Sequence, residues 1–206
     1  MSKLKDLIWL VLFGTGSALA GAQQYEPLSA SVQAAMSKAI SDQAAETRLT
    51  EKPAVKTWLA EMSRRLTRNI PDRDYREDLL ATVYYEASRA GLDPELVMGL
   101  IEVESGFRKY AVSTVGAHGY MQVMPFWVKQ IGAPGQDLFH LRTNLRYGCT
   151  ILRHYLDIER GDLFRALGRY NGSLGQAEYP NMVLAAWKRH WVYDASSVGK
   201  QAKAEN

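Results

Sequence analysis

The residue of this chain best suited to chemistry is a single glutamate, Glu104, which is followed by a long segment without acidic side chains. Between Ser105 and Gln136 the sequence contains no Asp or Glu, and Gly, Ser, Tyr, Met, Gln and Trp are frequent instead. A carboxyl group beside neutral, hydrogen-bonding and aromatic side chains can donate and accept a proton on an uncharged ligand. The pattern therefore indicates a general acid/base that works without a neighbouring carboxylate.

The helical phase of the surrounding residues separates Glu104 from its neighbour Glu102. Apolar positions recur at helical spacing after Asp93-Pro94 and form one stripe, made of Val97, Leu100, Ile101 and Glu104. Glu102 lies roughly 160° around the helix from Glu104, since each residue turns about 100°. Burial and the negative end of the helix would both raise the pKa of Glu104. Periodicity alone leaves open that Glu104 is a solvated residue at a frayed helix end.

The elements that would hold Glu104 are helices, because apolar residues recur with a helical period and strand patterns are weak. The spacing predicts helices over about 29–49, 53–68, 72–90, 93–105, 125–131, 141–158, 163–170 and 182–191. The helix over 72–90 should face inward with Leu79, Leu80, Val83 and Tyr84. The predicted fold class is therefore mostly α.

Several ordered motifs around and after Glu104 resemble a known family. They are the segments 101–107, 111–113, 116–117, 119–122 and 124–125, followed by Asn144, Gly148, Leu152, 161–162, 166–167 and 170–172. Together they resemble the soluble lytic transglycosylase (SLT) domain over about residues 76–191. Tyr120 stands where the family usually has Leu, and Arg169 stands where it usually has Ala. These departures concern the shape of the groove more than the acid.

The resemblance implies a lysozyme-like helical domain with a sugar-binding groove, and it implies roles for six residues. Glu104 would be the catalytic acid/base. Ser105 would orient the acid or the sugar, and Met121 and Gln122 would line the floor of the cleft. Tyr170 would hydrogen-bond the Glu104 carboxyl or the bound sugar, with Asn171 contributing to the cleft. His118, at a variable position of the motif, is expected at the surface.

The resemblance further implies cleavage of the β-1,4 bond between N-acetylmuramic acid and N-acetylglucosamine, with formation of 1,6-anhydromuramoyl ends. No metal and no organic cofactor would be needed. The first acid after Glu104 is Asp137, and we expect it to act locally before the next helix. An intramolecular C6 hydroxyl is therefore the expected nucleophile. A lysozyme-type muramidase that uses water, and a peptidoglycan-binding accessory of an envelope-spanning machine, remain alternatives.

The N-terminus reads as a secretory signal. Lys3 and Lys5 precede an apolar run over 7–13, and small residues over 18–22 supply a cleavage site. We predict a signal peptide at 1–22, an N-terminal helical segment at 23–69, a catalytic domain at 70–195 and a polar tail at 196–206. The expected location is periplasmic or secreted.

Charge and cysteine content narrow the expected partners. The formal net charge of +3 does not suggest a nucleic-acid binder. Cys149 is the only cysteine, so no disulfide can form within the chain. The expected partners are peptidoglycan glycan strands, with residues 23–69 as the candidate surface for a protein of the envelope machinery.

Overall fold

The computed structural model describes residues 23–41 and 52–194 of the 206-residue chain. Within these ranges the chain forms eight α-helices and a closing π-helical turn, Trp187–Trp191. The helices are α1 (Ala30–Ser41), α2 (Pro53–Leu66), α3 (Arg73–Arg89), α4 (Pro94–Ser105), α5 (Phe126–Ile131), α6 (Leu141–Ile158), α7 (Leu163–Asn171) and α8 (Glu178–Ala186). The prediction of a mostly α fold is confirmed. The predicted signal peptide and the polar tail lie outside the described residues.

Helix α4 lies in the centre of the packing and carries Glu104. It packs against α8 and against the π-helical turn, while α6 packs against both α3 and α7. Gly99 permits the closest of these approaches, because a Cβ atom there would lie 2.7 Å from the backbone nitrogen of Trp187. The middle of α4 is fully buried through Val97, Leu100 and Ile101, so the predicted stripe faces the core.

Local signals set both ends of α4. The Asp93 carboxylate accepts hydrogen bonds from the amides of Glu95 and Leu96, at 2.7 and 3.3 Å, and caps the first turn. Gly106 ends the helix in the left-handed conformation, with φ 57°. These ends place Glu104 in the last turn of α4. The loop that contains the neutral motifs, residues 106–125, follows directly.

Helix α1 is described as far as Ser41, and the rest of the predicted helix over 29–49 lies outside the described residues. One predicted helix begins at a different residue in the structure. Helix α8 begins at Glu178 rather than near residue 182, because Pro180 lies in its first turn, where a missing amide hydrogen costs no helical hydrogen bond. The predicted last helix therefore corresponds to α8 followed by the π-helical turn.

The first helices pack on the same core as the rest of the chain. Trp58, Met62 and Leu66 of α2 are buried in it, and α2 packs against α3. Met36 and Ile40 of α1 are buried against the same cluster. Among the described helices, none combines the length and the apolar character needed to span a membrane.

Candidate active site

The carboxyl group of Glu104 is held at the interface between α4 and α8. Glu104 is half-buried, and the hydroxyl of Tyr179 donates a hydrogen bond to its Oε1 atom. Burial raises the pKa of Glu104 to about 8, and the hydrogen bond from Tyr179 opposes part of that rise. Glu104 therefore carries a proton at neutral pH, as a general acid must.

Tyr179 is the residue that the sequence analysis missed. It is buried, with 3% of its surface exposed, and burial followed by the nearby Glu104 charge raises its own pKa well above the ordinary value. A signal for it exists in the sequence, because Tyr179, Val183 and Ala186 recur at helical spacing and are all buried. That spacing predicts an inward-facing tyrosine, but it does not say which residue the hydroxyl meets.

Tyr170 is the tyrosine that the resemblance linked to the Glu104 carboxyl or to the bound sugar. It is fully buried, and its hydroxyl donates a hydrogen bond to the backbone carbonyl of Met121 at 2.7 Å. Burial raises the pKa of Tyr170 well above its ordinary value, and the charge of Glu104 adds to this rise. The donor to Glu104 is nevertheless Tyr179, which takes the place that the resemblance gave to Tyr170. Contact of Tyr170 with a bound sugar stays a prediction.

The side chains of Ser105 and Gln122 both hydrogen-bond nearby backbone carbonyls. Ser105 is buried, and its hydroxyl donates to the Ile101 carbonyl at 3.1 Å within α4. The Gln122 amide donates to the carbonyls of Gly119 and Ala111, at 2.8 and 3.2 Å, across its own loop. Both side chains therefore have structural partners, and their contact with a sugar stays a prediction.

Asn144 of α6 joins three parts of this loop region. Its Oδ1 atom accepts from the Met121 amide at 2.8 Å, and its Nδ2 atom donates to the carbonyls of His118 and Leu138, both at 2.8 Å. Asn144 is fully buried, so the side chain uses its acceptor and both donor hydrogens inside the protein. From the sequence, Asn144 is recognisable only as part of a motif, and this role depends on the fold.

Met121 and Asn171 lie below the surface as well. The Met121 side chain is fully buried against Gly148, where a Cβ atom would approach its sulfur to 2.3 Å. Asn171 is 4% exposed and ends α7, which is followed by Gly172 in the left-handed conformation. Both side chains are therefore buried, and their contact with the cleft stays a prediction.

The other acids near Glu104 in sequence point elsewhere. Glu102 accepts hydrogen bonds from Trp191 Nε1 at 2.6 Å and from His190 Nδ1 at 2.9 Å, on the side facing the π-helical turn. Asp137 is exposed and accepts from the Phe139 amide at 2.8 Å. This bond gives Asp137 the local role expected from its position.

His118 forms part of a separate surface groove. Its ring stacks on Phe139 with centroids 4.7 Å apart and planes 21° from parallel. The groove has a volume of about 550 Å³ and also includes Pro125, Lys129 and Asp137 in its lining. His118 is therefore half-buried, and the contact that covers its ring is the stacked ring of Phe139.

Comparison with known proteins places this geometry in a family. Residues 82–181 match the family model of the transglycosylase SLT domain. A transglycosylase of Enterobacteria phage PRD1 is 35% identical over 98 residues, which cover 48% of this chain and 36% of that protein. Membrane-bound lytic murein transglycosylase C of Actinobacillus pleuropneumoniae serotype 5b is 45% identical over 53 residues, covering 26% of this chain and 13% of that protein.

A solved structure of lytic transglycosylase Slt from Pseudomonas aeruginosa, an inactive mutant, aligns with a TM-score of 0.43 and 20% identity. The alignment covers 82% of this chain and 35% of the Slt chain. The match over residues 82–181 confirms the resemblance to the transglycosylase SLT domain that the motifs predicted. The chain spans about a third of the length of the phage relative.

Proposed function

We propose that this protein is a peptidoglycan lytic transglycosylase in which Glu104 serves first as acid and then as base. The observation that carries the proposal is the hydrogen bond from Tyr179 to the Glu104 carboxyl, whose pKa burial raises to about 8, within the segment that matches the SLT domain. A pKa of about 8 leaves both the protonated and the ionised form accessible near neutral pH. One residue can then exchange a proton in both directions during a single reaction.

In the proposed reaction Glu104 first donates one proton to the substrate and later accepts one from it. Glu104 gives its proton to the glycosidic oxygen, the bond from that oxygen to C1 of N-acetylmuramic acid breaks, and the electron pair stays on the leaving oxygen. The acetamido oxygen of the same sugar stabilises C1. The C6 hydroxyl oxygen then bonds to C1, its proton returns to Glu104, and a 1,6-anhydro end results. No water is consumed.

The surroundings of Glu104 support an intramolecular nucleophile over a second carboxylate. The loop after α4 contains no acid before Asp137, and the Asp137 carboxylate is engaged with the Phe139 amide. Retaining and inverting hydrolases usually carry two carboxyl groups across the scissile bond. With a single acid, the C6 hydroxyl is the better nucleophile.

The five other predicted site residues act in this proposal from beneath the cleft. Each is at most 8% exposed; the five are Ser105, Met121, Gln122, Tyr170 and Asn171. The Gln122 and Tyr170 side chains hydrogen-bond the loop backbone that would face the sugar. Glycan contacts would then come from backbone groups and from more exposed neighbours.

The proposed location is the cell envelope, periplasmic or secreted, after removal of the predicted signal peptide at 1–22. The names of the lytic murein transglycosylase relatives are consistent with such a place of action. A protein partner bound through residues 23–69 remains a further proposal. Mass determination of the N-terminus of the protein purified from the envelope fraction would test the cleavage.

The deciding experiment compares the parent protein with Glu104→Gln on purified peptidoglycan. The substitution keeps the shape of the side chain and removes its proton transfer, so we expect loss of cleavage with an unchanged circular dichroism spectrum. Glu178→Gln removes an exposed acid from α8 and should leave the activity intact. Full lytic activity in Glu104→Gln would refute the assignment.

The products separate the alternatives. Mass spectrometry should find muramoyl ends lighter by one water than reducing ends. Reducing ends alone would identify a lysozyme-type muramidase. Binding of sacculi without any cleavage by the parent protein would identify a binding accessory.

A further inference from the structure

Residues 23–28, here called the strap, precede α1 and lie against the loop of the candidate active site. Gln23 is 5% exposed although it precedes the first helix. Its Nε2 atom donates to the Gln122 carbonyl at 3.2 Å, and its Oε1 atom accepts from the Met124 amide at 3.0 Å. One side-chain amide thus pairs with the backbone on both sides of Val123, as a neighbouring strand would.

The backbone that Gln23 holds is conformationally unfavourable. Gln122 has φ 47°, in the left-handed region that side chains other than glycine rarely adopt. Such residues persist where the surroundings over-determine them, and they concentrate at functional sites. Here the Gln122 side chain fixes the turn from within, through the Gly119 carbonyl at 2.8 Å, and Gln23 fixes the same turn from outside.

The strap is anchored to two other elements. The Tyr25 ring meets Phe126 of α5 edge-on, with centroids 5.6 Å apart. Gln130 of α5 donates to the Glu26 carbonyl at 2.8 Å, and the Glu26 carboxylate pairs with Arg169 of α7 at 3.2 Å. Because these anchors lie outside the loop, they can fix the position of Gln23 independently of the loop that it holds.

Gln23 is linked through the Gln122 turn to Tyr170, whose pKa responds to the charge of Glu104. The Gln122 turn follows Met121 directly, and the Met121 carbonyl accepts from Tyr170, whose pKa is raised by burial and then by the nearby Glu104 charge. Movement of the turn would therefore disturb the hydrogen bond that holds the Tyr170 hydroxyl. The strap does not reach the Glu104 carboxyl through any hydrogen bond among the described residues.

We propose that Gln23 is a positioning residue of this enzyme and that the strap completes the active site by holding the Gln122–Met124 backbone in its working conformation. The proposal rests on the proposed transglycosylase function. Residues 23–69 were predicted as a candidate surface for a protein partner. The proposal gives the first residues of that segment a role in positioning the active-site loop. It also explains a buried polar side chain outside the SLT domain match.

The test uses Gln23→Ala and Gln33→Ala in the full chain, with soluble glycan strands as substrate. Gln33 donates to the Gln130 carbonyl at 2.7 Å from an exposed position, so Gln33→Ala removes one hydrogen bond near the strap without touching the loop. We expect Gln23→Ala to lower kcat about tenfold, the effect of losing one to two hydrogen bonds, with KM changed less than twofold. Gln33→Ala should keep the parent kcat.

Amide hydrogen exchange supplies a readout that does not depend on activity. The Met124 amide loses its acceptor in Gln23→Ala, so its exchange should accelerate at least tenfold, while Gln33→Ala should not alter it. Combining Gln23→Ala with Gln122→Ala should lower kcat by less than the product of the two single effects, because both side chains hold one turn. A merely structural role would lower the melting temperature without this non-additivity.

The outcomes separate this proposal from the proposed function. A kcat for Gln23→Ala within twofold of the parent, or an unchanged Met124 exchange rate, would overturn the role of Gln23 and leave the transglycosylase reaction standing. A parent protein that forms no anhydro ends would overturn the proposed function, and with it the catalytic role of Gln23. In that case, faster Met124 exchange would show only that the strap holds the loop.

Discussion

The hydroxyl of Tyr179 donates a hydrogen bond to the carboxyl group of Glu104 across the interface between α4 and α8. Two opposing effects act on the pKa of Glu104. Burial raises the pKa of Glu104 to about 8, and the tyrosine lowers it towards neutrality by stabilising the ionised form. The pair therefore adjusts a buried acid so that it can both give up and recover a proton.

Removing the Tyr179 hydroxyl should shift the pH dependence of cleavage upward. Glu104 must be protonated to act as an acid, so the rate should fall as pH rises through about 8 in the parent protein. In Tyr179→Phe the ionised form loses its donor, and the falling limb should move to higher pH. The rate at neutral pH should drop about tenfold, because the carboxyl is less well oriented.

The measurement is a pH profile of kcat/KM on glycan strands. Tyr170→Phe serves as the matched comparison, since its hydroxyl donates to the Met121 carbonyl and not to Glu104. It should shift the alkaline limb less than Tyr179→Phe. Identical limbs in the parent and in Tyr179→Phe would contradict the assigned contact.

Glu104 should make the protein less stable at alkaline pH. Its folded pKa of about 8 lies above the ordinary value of 4.5, so between these pH values the folded state binds more protons than the unfolded state. The free energy of unfolding should then fall with a slope of up to about 1.4 kcal/mol per pH unit and level off above pH 8. Below about pH 4.5 Glu104 is protonated in both the folded and the unfolded state, so it should not change the free energy of unfolding there.

Glu104→Gln should remove this slope and gain stability at pH 8 relative to the parent, as expected where function costs stability. Urea unfolding at pH 4.5 and pH 8 would measure the difference. Glu178→Gln, which changes an exposed acid of α8, controls for loss of charge alone. Equal slopes in the parent and Glu104→Gln would argue against a buried, protonated Glu104.

Asn144 should be essential to the loop that follows Glu104. In Asn144→Asp, an oxygen would replace the amide nitrogen that now donates to the carbonyls of His118 and Leu138. Three buried acceptors would then face one another without a donor, which costs roughly 1–3 kcal/mol for each unsatisfied group. Thermal unfolding should record a lower melting temperature, and cleavage should decline with it.

Gly148→Ala tests the same region from the side of Met121. The added Cβ atom would lie 2.3 Å from the Met121 sulfur and 2.7 Å from its Cβ atom. Overpacking of this kind costs about 1–3 kcal/mol. Gly168→Ala, where the nearest atom would be 3.3 Å away, should be milder. A Gly148→Ala protein as stable as Gly168→Ala would contradict the close packing of Met121.

A buried ion cluster should dominate the stability of the α3–α6 interface. Glu86 is fully buried and pairs with Arg146 at 2.7 Å, with Arg89 at 3.1 Å and with Arg142 at 3.4 Å. Glu86→Gln would leave Arg146 buried without its carboxylate, so we expect a loss of about 3–5 kcal/mol.

Denaturant unfolding of Glu86→Gln beside Glu77→Gln would check this value. Glu77 pairs with Arg73 at an exposed position of the same helix, where removal of an ion pair should cost less than about 1 kcal/mol. Similar losses in the two variants would show that burial adds little to the cluster.

Local chemistry made much of the fold predictable from the sequence. Asp93-Pro94 and Gly106 carry their helix signals within a few residues, and the structure has both ends of α4 where these signals indicated. Helical spacing also identified Leu79, Leu80 and Val83 as core residues of α3. Tyr84 is only half-buried, because periodicity gives the direction of a side chain and not the depth at which the neighbouring elements cover it.

The sequence by itself determined that Glu104 lies in the last turn of a helix, on a different face from Glu102, and that neutral motifs resembling the SLT family follow it. Only the tertiary structure decided that Tyr179 holds the acid and that Gln23 pairs with the Gln122 turn. These partners lie 75 and 99 residues apart in the chain. A periodic pattern specifies which face of a helix is apolar, whereas the meeting of two faces depends on how all the helices pack together.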